Sequence, residues 1–248
     1  FKYKNESNNA VDELRINIRP GEKVGILGRI GSGKSTMLKL ASGLYDTEKG
    51  NVTLDGVDMR QLDPNFLRNQ VLLFSQSPRL FLGTLRENMD LARTDSYSTD
   101  QDLLTALKRF GLDQIIRNHP RGLDMPLGED GLGLSGGQKQ IIALARMTLR
   151  DPKVVLLDEP TTSLDQGTER MALNAIAHWG RNRTMLLVTH RPQVLQIVNR
   201  IIVMENGKVV MDGPRDLVLQ KLMQNEQNKV KAAQQAQENQ RPGEAAQA

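Results

Sequence analysis

Cysteine is missing from this 248-residue chain, which excludes disulfide bridges and thiolate metal sites. Aromatic residues make up only 4%, too few to interleave with basic residues along a nucleic-acid-binding stripe. Long apolar runs are missing too. VVLL at 154–157, IIALA at 141–145 and MLLV at 185–188 fall far short of the about 20 residues a membrane helix requires. No basic stretch leads into an apolar segment at the start, so no secretory signal is read there. Neither sign of charge dominates: 33 Lys and Arg against 29 Asp and Glu leave a net +4, interspersed rather than clustered. With 25% charged and 38% hydrophobic residues, the composition is that of a soluble globular protein, long enough for one large α/β domain or two small ones.

The order of patterns narrows this. VGIL (24–27) is a short apolar run that ends where glycines begin, and KSTMLKLAS (34–42) has helical spacing. Asp55-Gly56 and Asn206-Gly207 are tight-turn dipeptides flanked by alternating segments, and each predicts a hairpin. VLLFSQ (71–76), KVVLLDE (153–159) and TMLLVTH (184–190) read as further strands. Residues 84–150 read as mostly helical, and ERMALNAIAHW as a helix between the last two strands. Strands alternating with helices predict a mostly parallel sheet. From about Asn225 the chain turns to Ala, Gln, Glu and Asn without an apolar face, so 225–248 reads as a solvated, disordered tail.

Gly28-Arg29-Ile30-Gly31-Ser32-Gly33-Lys34-Ser35-Thr36 satisfies the P-loop pattern, with a strand before it and a helix after. Glycines let successive N–H groups turn onto phosphate oxygens at the positive end of a helix. Lys34 adds a charge for the β- and γ-phosphates, and Ser35 a hydroxyl for Mg²⁺. VVLLDE sets Asp158 and Glu159 at the C-terminal end of a buried strand, the edge where ligands bind in such sheets. Asp158 suits the Mg²⁺ shell. Glu159, expected on the opposite strand face, suits a general base for an attacking water. The bland alternative is a pair of acids leaving the sheet into solvent.

LSGGQ (134–138) is a second glycine-rich helix start. Ser135 and Gln138 make a capping box that explains the helix alone. Gly136 and Gly137 argue for more, because each costs a helix about 1 kcal/mol relative to Ala unless the backbone must approach something.

GRIGSGKST, LSGGQ and VVLLDEP in this order resemble the nucleotide-binding domain of ABC transporters, over Phe1 to about Leu222. That resemblance implies an α/β fold with a P-loop NTPase core, an N-terminal antiparallel β subdomain and an inserted α-helical subdomain at about 77–150. The domain would occupy 1–224. It implies an ATPase using ATP and Mg²⁺, in which two copies dimerise head to tail and the signature turn of one covers the phosphate held by the other. Tyr3 then resembles the residue that stacks on adenine (otherwise a strand-edge tyrosine). Gln76 resembles the glutamine that reaches Mg²⁺ and the lytic water, Asp165 an aspartate at the dimer interface, and His190 the switch histidine that contacts the γ-phosphate. His119 and His178 read as structural, and Trp179 as packing.

SPRLFLGTLRENM (77–89) and LGEDGLGLSGGQ, with Glu129, are similar to exporter segments that meet a transmembrane domain. GRIGSGKST, HPRGLDMPLGEDG and THRPQVLQIVNR look most like type I secretion exporters. This implies a motor cut from a longer polypeptide, at the cytoplasmic face of a bacterial inner membrane. Its partners would be a transmembrane domain, a periplasmic adaptor and an outer-membrane channel, with no nucleic acid. Two other readings stay open on the residues: a soluble ATPase of the same family acting on nucleic acid or ribosomes, and a binding module without turnover.

Overall fold

A strand buried on both faces needs an unbroken apolar run, and KVGILG at Lys23–Gly28 supplies one, with Val24 and Ile26 fully buried. The computed structural model describes residues 1–4, 6–92 and 99–238. From this strand, β1, the chain passes into α1 (Lys34–Ala41) and then a short hairpin of β2 (Thr53–Leu54) and β3 (Val57–Asp58). It continues through α2 (Pro64–Gln70), β4 (Val71–Phe74), β5 (Gly83–Thr84) and the helices α3 (Leu85–Asp90), α4 (Asp100–Arg109) and α5 (Asp113–Asn118). After β6 (Pro126–Leu127) come α6 (Gly136–Met147), β7 (Val154–Asp158), α7 (Gln166–Trp179) and β8 (Thr184–Val188). The hairpin of β9 (Arg200–Glu205) and β10 (Lys208–Pro214) leads into α8 (Arg215–Glu238).

Six strands form one sheet in the order β10-β9-β1-β8-β7-β4, parallel at every pairing except β9 with β10. Alternate residues feed two cores, one on each face. Val155, Leu157, Leu187 and Val203 join α6 and α7 residues such as Leu144 and Ile176. Leu156, Leu186, Val188 and Ile202 face Met37 and Leu38 of α1. Each large aliphatic side chain buried this way contributes about 1.5–3 kcal/mol.

This is the predicted α/β architecture, with three differences in detail. The antiparallel N-terminal portion is slight among the described residues: β2 and β3 pair over two positions each. Leu14, Ile16 and Ile18 alternate onto the core but belong to no strand. Second, α2 was not legible as a helix, although Asp63 caps it through Asn65 and Phe66 and Pro64 opens it. Third, α8 carries helix to Glu238, well into the segment that composition marks as tail. Ala, Gln, Glu and Lys are strong helix formers, and the helix is seated by buried Val218 at its start. The expected tail beyond 238, and positions 93–98 of the expected helical subdomain, lie outside the described residues.

Candidate functional site

The parallel strands end together. In register, Phe74 lies beside Leu157, Asp158 beside Val188, and Ile26 also beside Val188. Whatever follows Gly28, Phe74, Asp158 and Val188 therefore meets at one sheet edge. Those continuations are the phosphate loop, Gln76, Glu159 and His190.

The loop between β1 and α1 is shaped by what cannot fit. A Cβ on Gly28 would lie 2.3 Å from the Met204 carbonyl oxygen, and one on Gly33 2.1 Å from that of Ala10. Gly28, Gly31 and Gly33 all have positive φ. Lys34 is buried at the loop's base, its Nζ donating to the carbonyls of Gly28 (2.8 Å) and Arg29 (2.9 Å). Burial pushes its ammonium pKa down, while Glu159 and Asp158 pull it up. Ser32 and Thr36 are buried, whereas Arg29 is exposed and Ile30 is 94% exposed. Tyr3 is half-buried next to the start of α1, its hydroxyl 3.0 Å from Thr36 Oγ1 and its ring edge-on to Phe1 and Tyr45.

Asp158 and Glu159 are both buried. Burial raises the Asp158 carboxyl pKa, with the Ser35 hydroxyl, Lys39 and Lys34 acting the other way. Burial also raises Glu159, and His190 opposes it by charge and through its backbone N–H. His190 Nε2 stands 3.3 Å from Glu159 Oε1, close but not aligned as a hydrogen bond. Glu159 does not simply continue the strand to its opposite face. Its φ is +49°, so the chain turns sharply at this residue. Four hydrogen bonds fix the turn: its N–H donates to Val188 (3.0 Å), and its carbonyl accepts from the Thr162 N–H (3.4 Å), Thr162 Oγ1 (3.0 Å) and Gln140 Nε2 (3.2 Å). Gln76 is exposed beyond β4.

Ser135 and Gln138 form the predicted capping box at α6. The two glycines divide their roles. A Cβ on Gly137 would lie 3.1 Å from the Ser163 carbonyl oxygen, so this glycine admits the chain's own 161–165 loop. Gly136 is exposed, with ordinary contact at 3.7 Å. Ser135 is exposed as well. Asp165 caps α7 from the N–H groups of Gly167 and Thr168.

Arg191 was not singled out from the sequence. It reaches buried Glu169 at 2.9 Å and donates to the carbonyls of Leu164 and Thr162, so it locks the loop before Asp165 to the loop holding His190. Gln140 was also missed, although a glutamine on the buried face of an apolar helix is itself a signal. His119 accepts from the Arg121 N–H within a turn, and Trp179 is buried, as expected for structural residues. A groove of about 580 Å³ lined by Arg109, Arg170, Met171, Asn174, His178 and Trp179 lies along α7 and shares no residue with the sheet edge.

The residues fit ATP with Mg²⁺. Asp158 Oδ1 is buried without a hydrogen-bond partner, and Ser35 faces the same carboxylate. A hydroxyl and a carboxylate are the hard oxygen donors Mg²⁺ takes. Among the described residues no group of three or more His, Cys, Asp or Glu is placed to hold a metal ion.

This fold and this edge define a P-loop nucleotide-binding domain. Residues 11–162 match the family model described as ABC transporter, and the chain belongs to that family. It is 38% identical over 218 residues to the ATP-dependent lipid A-core flippase of Neisseria gonorrhoeae, covering 88% of this chain and 35% of that protein. Against the flippase of Escherichia coli K12 it is 38% identical over 220 residues, 89% of this chain and 38% of that one. A solved structure of a bacterial Atm1-family ABC exporter with ATP bound matches with a TM-score of 0.77 at 30% identity, over 81% of this chain and 35% of that one. The chain thus spans little more than a third of the length of these relatives. No helix among the described residues is long and apolar enough to cross a membrane.

Proposed function

We propose that this chain is the ATP-hydrolysing motor domain of an ABC exporter, working as a head-to-tail pair of copies coupled to a transmembrane domain. The observation that carries it is the convergence at one sheet edge of the phosphate loop, the orphaned Asp158 oxygen and the Glu159–His190 pair. Lys34 and the N–H groups of residues 31–36 would hold the phosphates, and Ser35, Asp158 and Gln76 the Mg²⁺. The metal, when bound, neutralises charge on the phosphates. Glu159, its pKa raised by burial, takes the proton of the attacking water, and His190 orients it. Tyr3 stacks on adenine, and Ser135, Gly136, Gly137 and Gln138 complete the site held by the partner copy, with Asp165 at the same interface.

The bacterial relatives named above are lipid A-core flippases and an Atm1-family exporter, which supports placing the domain at the cytoplasmic face of a bacterial inner membrane. Phe81, Leu82 and Leu132 are exposed apolar residues on the exporter-like segments, and these support the docking of the transmembrane domain. The narrower reading, type I secretion of a protein with an adaptor and an outer-membrane channel, rests on loop wording alone. The relatives named above are lipid A-core flippases and an Atm1-family exporter, so they lend it nothing.

Glu159→Gln should bind ATP, release no phosphate and accumulate a dimer in size-exclusion chromatography, and adding Ser135→Arg should abolish that dimer. Dimers that form equally with both changes would show that the signature turn does not serve the partner's nucleotide.

A further inference from the structure

Gln140 is 2% exposed, on a helix whose neighbouring residues Ile141 to Ala145 are apolar and buried. A buried primary amide without partners would be unfavourable, yet here both ends are used. Its Nε2 donates to the Glu159 carbonyl at 3.2 Å, and its Oε1 accepts the Ser163 N–H at 2.8 Å. The first bond falls on the residue whose φ is +49°, a region that side-chain-bearing residues rarely occupy. Such a conformation persists only where its surroundings over-determine it. Gln140 is the contribution that comes from α6, beside those of Val188 and Thr162.

We propose that Gln140 is a positioning residue for hydrolysis, holding the Glu159 peptide in its turned conformation and tying it to the 161–165 loop. This rests on the motor reading above. If the Glu159 peptide relaxed to ordinary strand geometry, its side chain would swing away from His190 Nε2, now 3.3 Å off, and the base would leave the sheet edge. Gln140 belongs to the same helix that starts at Ser135. The Gly137 backbone also approaches Ser163, the residue whose N–H Gln140 accepts. The first turns of α6 therefore form one frame with the general base and the loop leading to Asp165.

The test compares Gln140→Met, which keeps the volume and removes the amide, with Gln140→Glu, which can accept from Ser163 but cannot donate to Glu159. Steady-state phosphate release should show kcat falling at least tenfold in both variants, with KM for ATP within about twofold, because the phosphate loop is untouched. Amide hydrogen exchange of the wild type should show the Ser163 N–H protected, a readout that needs no variant to fold. Wild-type kcat in Gln140→Met would overturn the proposal. So would kcat and nucleotide affinity falling by the same factor, or a freely exchanging Ser163 amide. A wild type that binds ATP but releases no phosphate would overturn the motor reading and this proposal together; turnover that survives Gln140→Met would overturn the proposal alone.

Discussion

Gly33→Ala isolates how much of the phosphate loop's shape is imposed by its neighbours. The added Cβ would sit 2.1 Å from the Ala10 carbonyl oxygen, well inside the 3.0 Å below which real contacts essentially never fall. Neither side yields easily: the Ala10 N–H is bonded to the Phe1 carbonyl at 2.9 Å, and the Gly33 carbonyl caps α1 by accepting from Met37 at 2.8 Å. Gly33 also has φ +94°, which an L side chain tolerates at a cost of about 1–2 kcal/mol. Gly31 is the control. Its φ is +80° but nothing lies within 4 Å of its would-be Cβ, so Gly31→Ala carries the conformational cost alone. For a chain of this size about 1 kcal/mol lowers Tm by about 2–4 °C, so Gly31→Ala should lower it by about 2–8 °C. The overlap at Gly33 adds about 1–3 kcal/mol, and the Gly33→Ala midpoint should fall further by a comparable amount. Thermal denaturation followed by circular dichroism without nucleotide compares the two. Displacing the cradle by about 1 Å should also reduce kcat/KM by about 10²-fold in Gly33→Ala. Equal thermal shifts for the two variants would refute the argument, because the backbone overlap would then have no energetic consequence.

Arg191→Ala strands Glu169, whose side chain is only 5% exposed and also accepts from Thr161 at 2.7 Å. Breaking a buried pair from one side costs about 3–5 kcal/mol, and Arg191, a third exposed, should fall at the low end in urea denaturation; Glu169→Gln added to it should recover part of the loss. Asp58 is held at a pKa of about 2 by hydrogen bonds from the Arg60 side chain and backbone. A depressed carboxylate contributes stability that is fully present above its ordinary value and lost as pH falls towards 2. Carboxylate NMR should find Asp58 titrating well below the 3.8 of an unperturbed aspartate, and Arg60→Ala should move it part of the way back, because the backbone N–H at position 60 still donates to it.

Most of the framework was legible because its signals are local. VGIL, VVLL and MLLV are continuous apolar runs, and a run of that length between turn signals has few alternatives to a buried strand. The hairpin at Asn206-Gly207 follows from the dipeptide, since Asn206 and Gly207 both take the positive φ that a tight turn demands. The capping box at Ser135 needs only residues three apart. The hairpin of β2 and β3 follows from Asp55-Gly56 in the same way, with both residues at positive φ. What escaped was α8, which runs on through a segment marked as tail because its residues favour helix by themselves.

Glu159 shows why the site resists such reading more than the fold does. Strand periodicity places Asp158 and Glu159 on opposite faces, and for Asp158 the strand persists, paired with Val188. One residue later, bonds from β8, α6 and the 161–165 loop outweigh the strand geometry. Two of these partners, Gln140 and Val188, are distant in sequence, so no local pattern could announce them. Propensity decides a residue when its neighbours are indifferent. At Glu159 they are not, and the carboxylate is aimed by contacts that form only once the sheet edge exists.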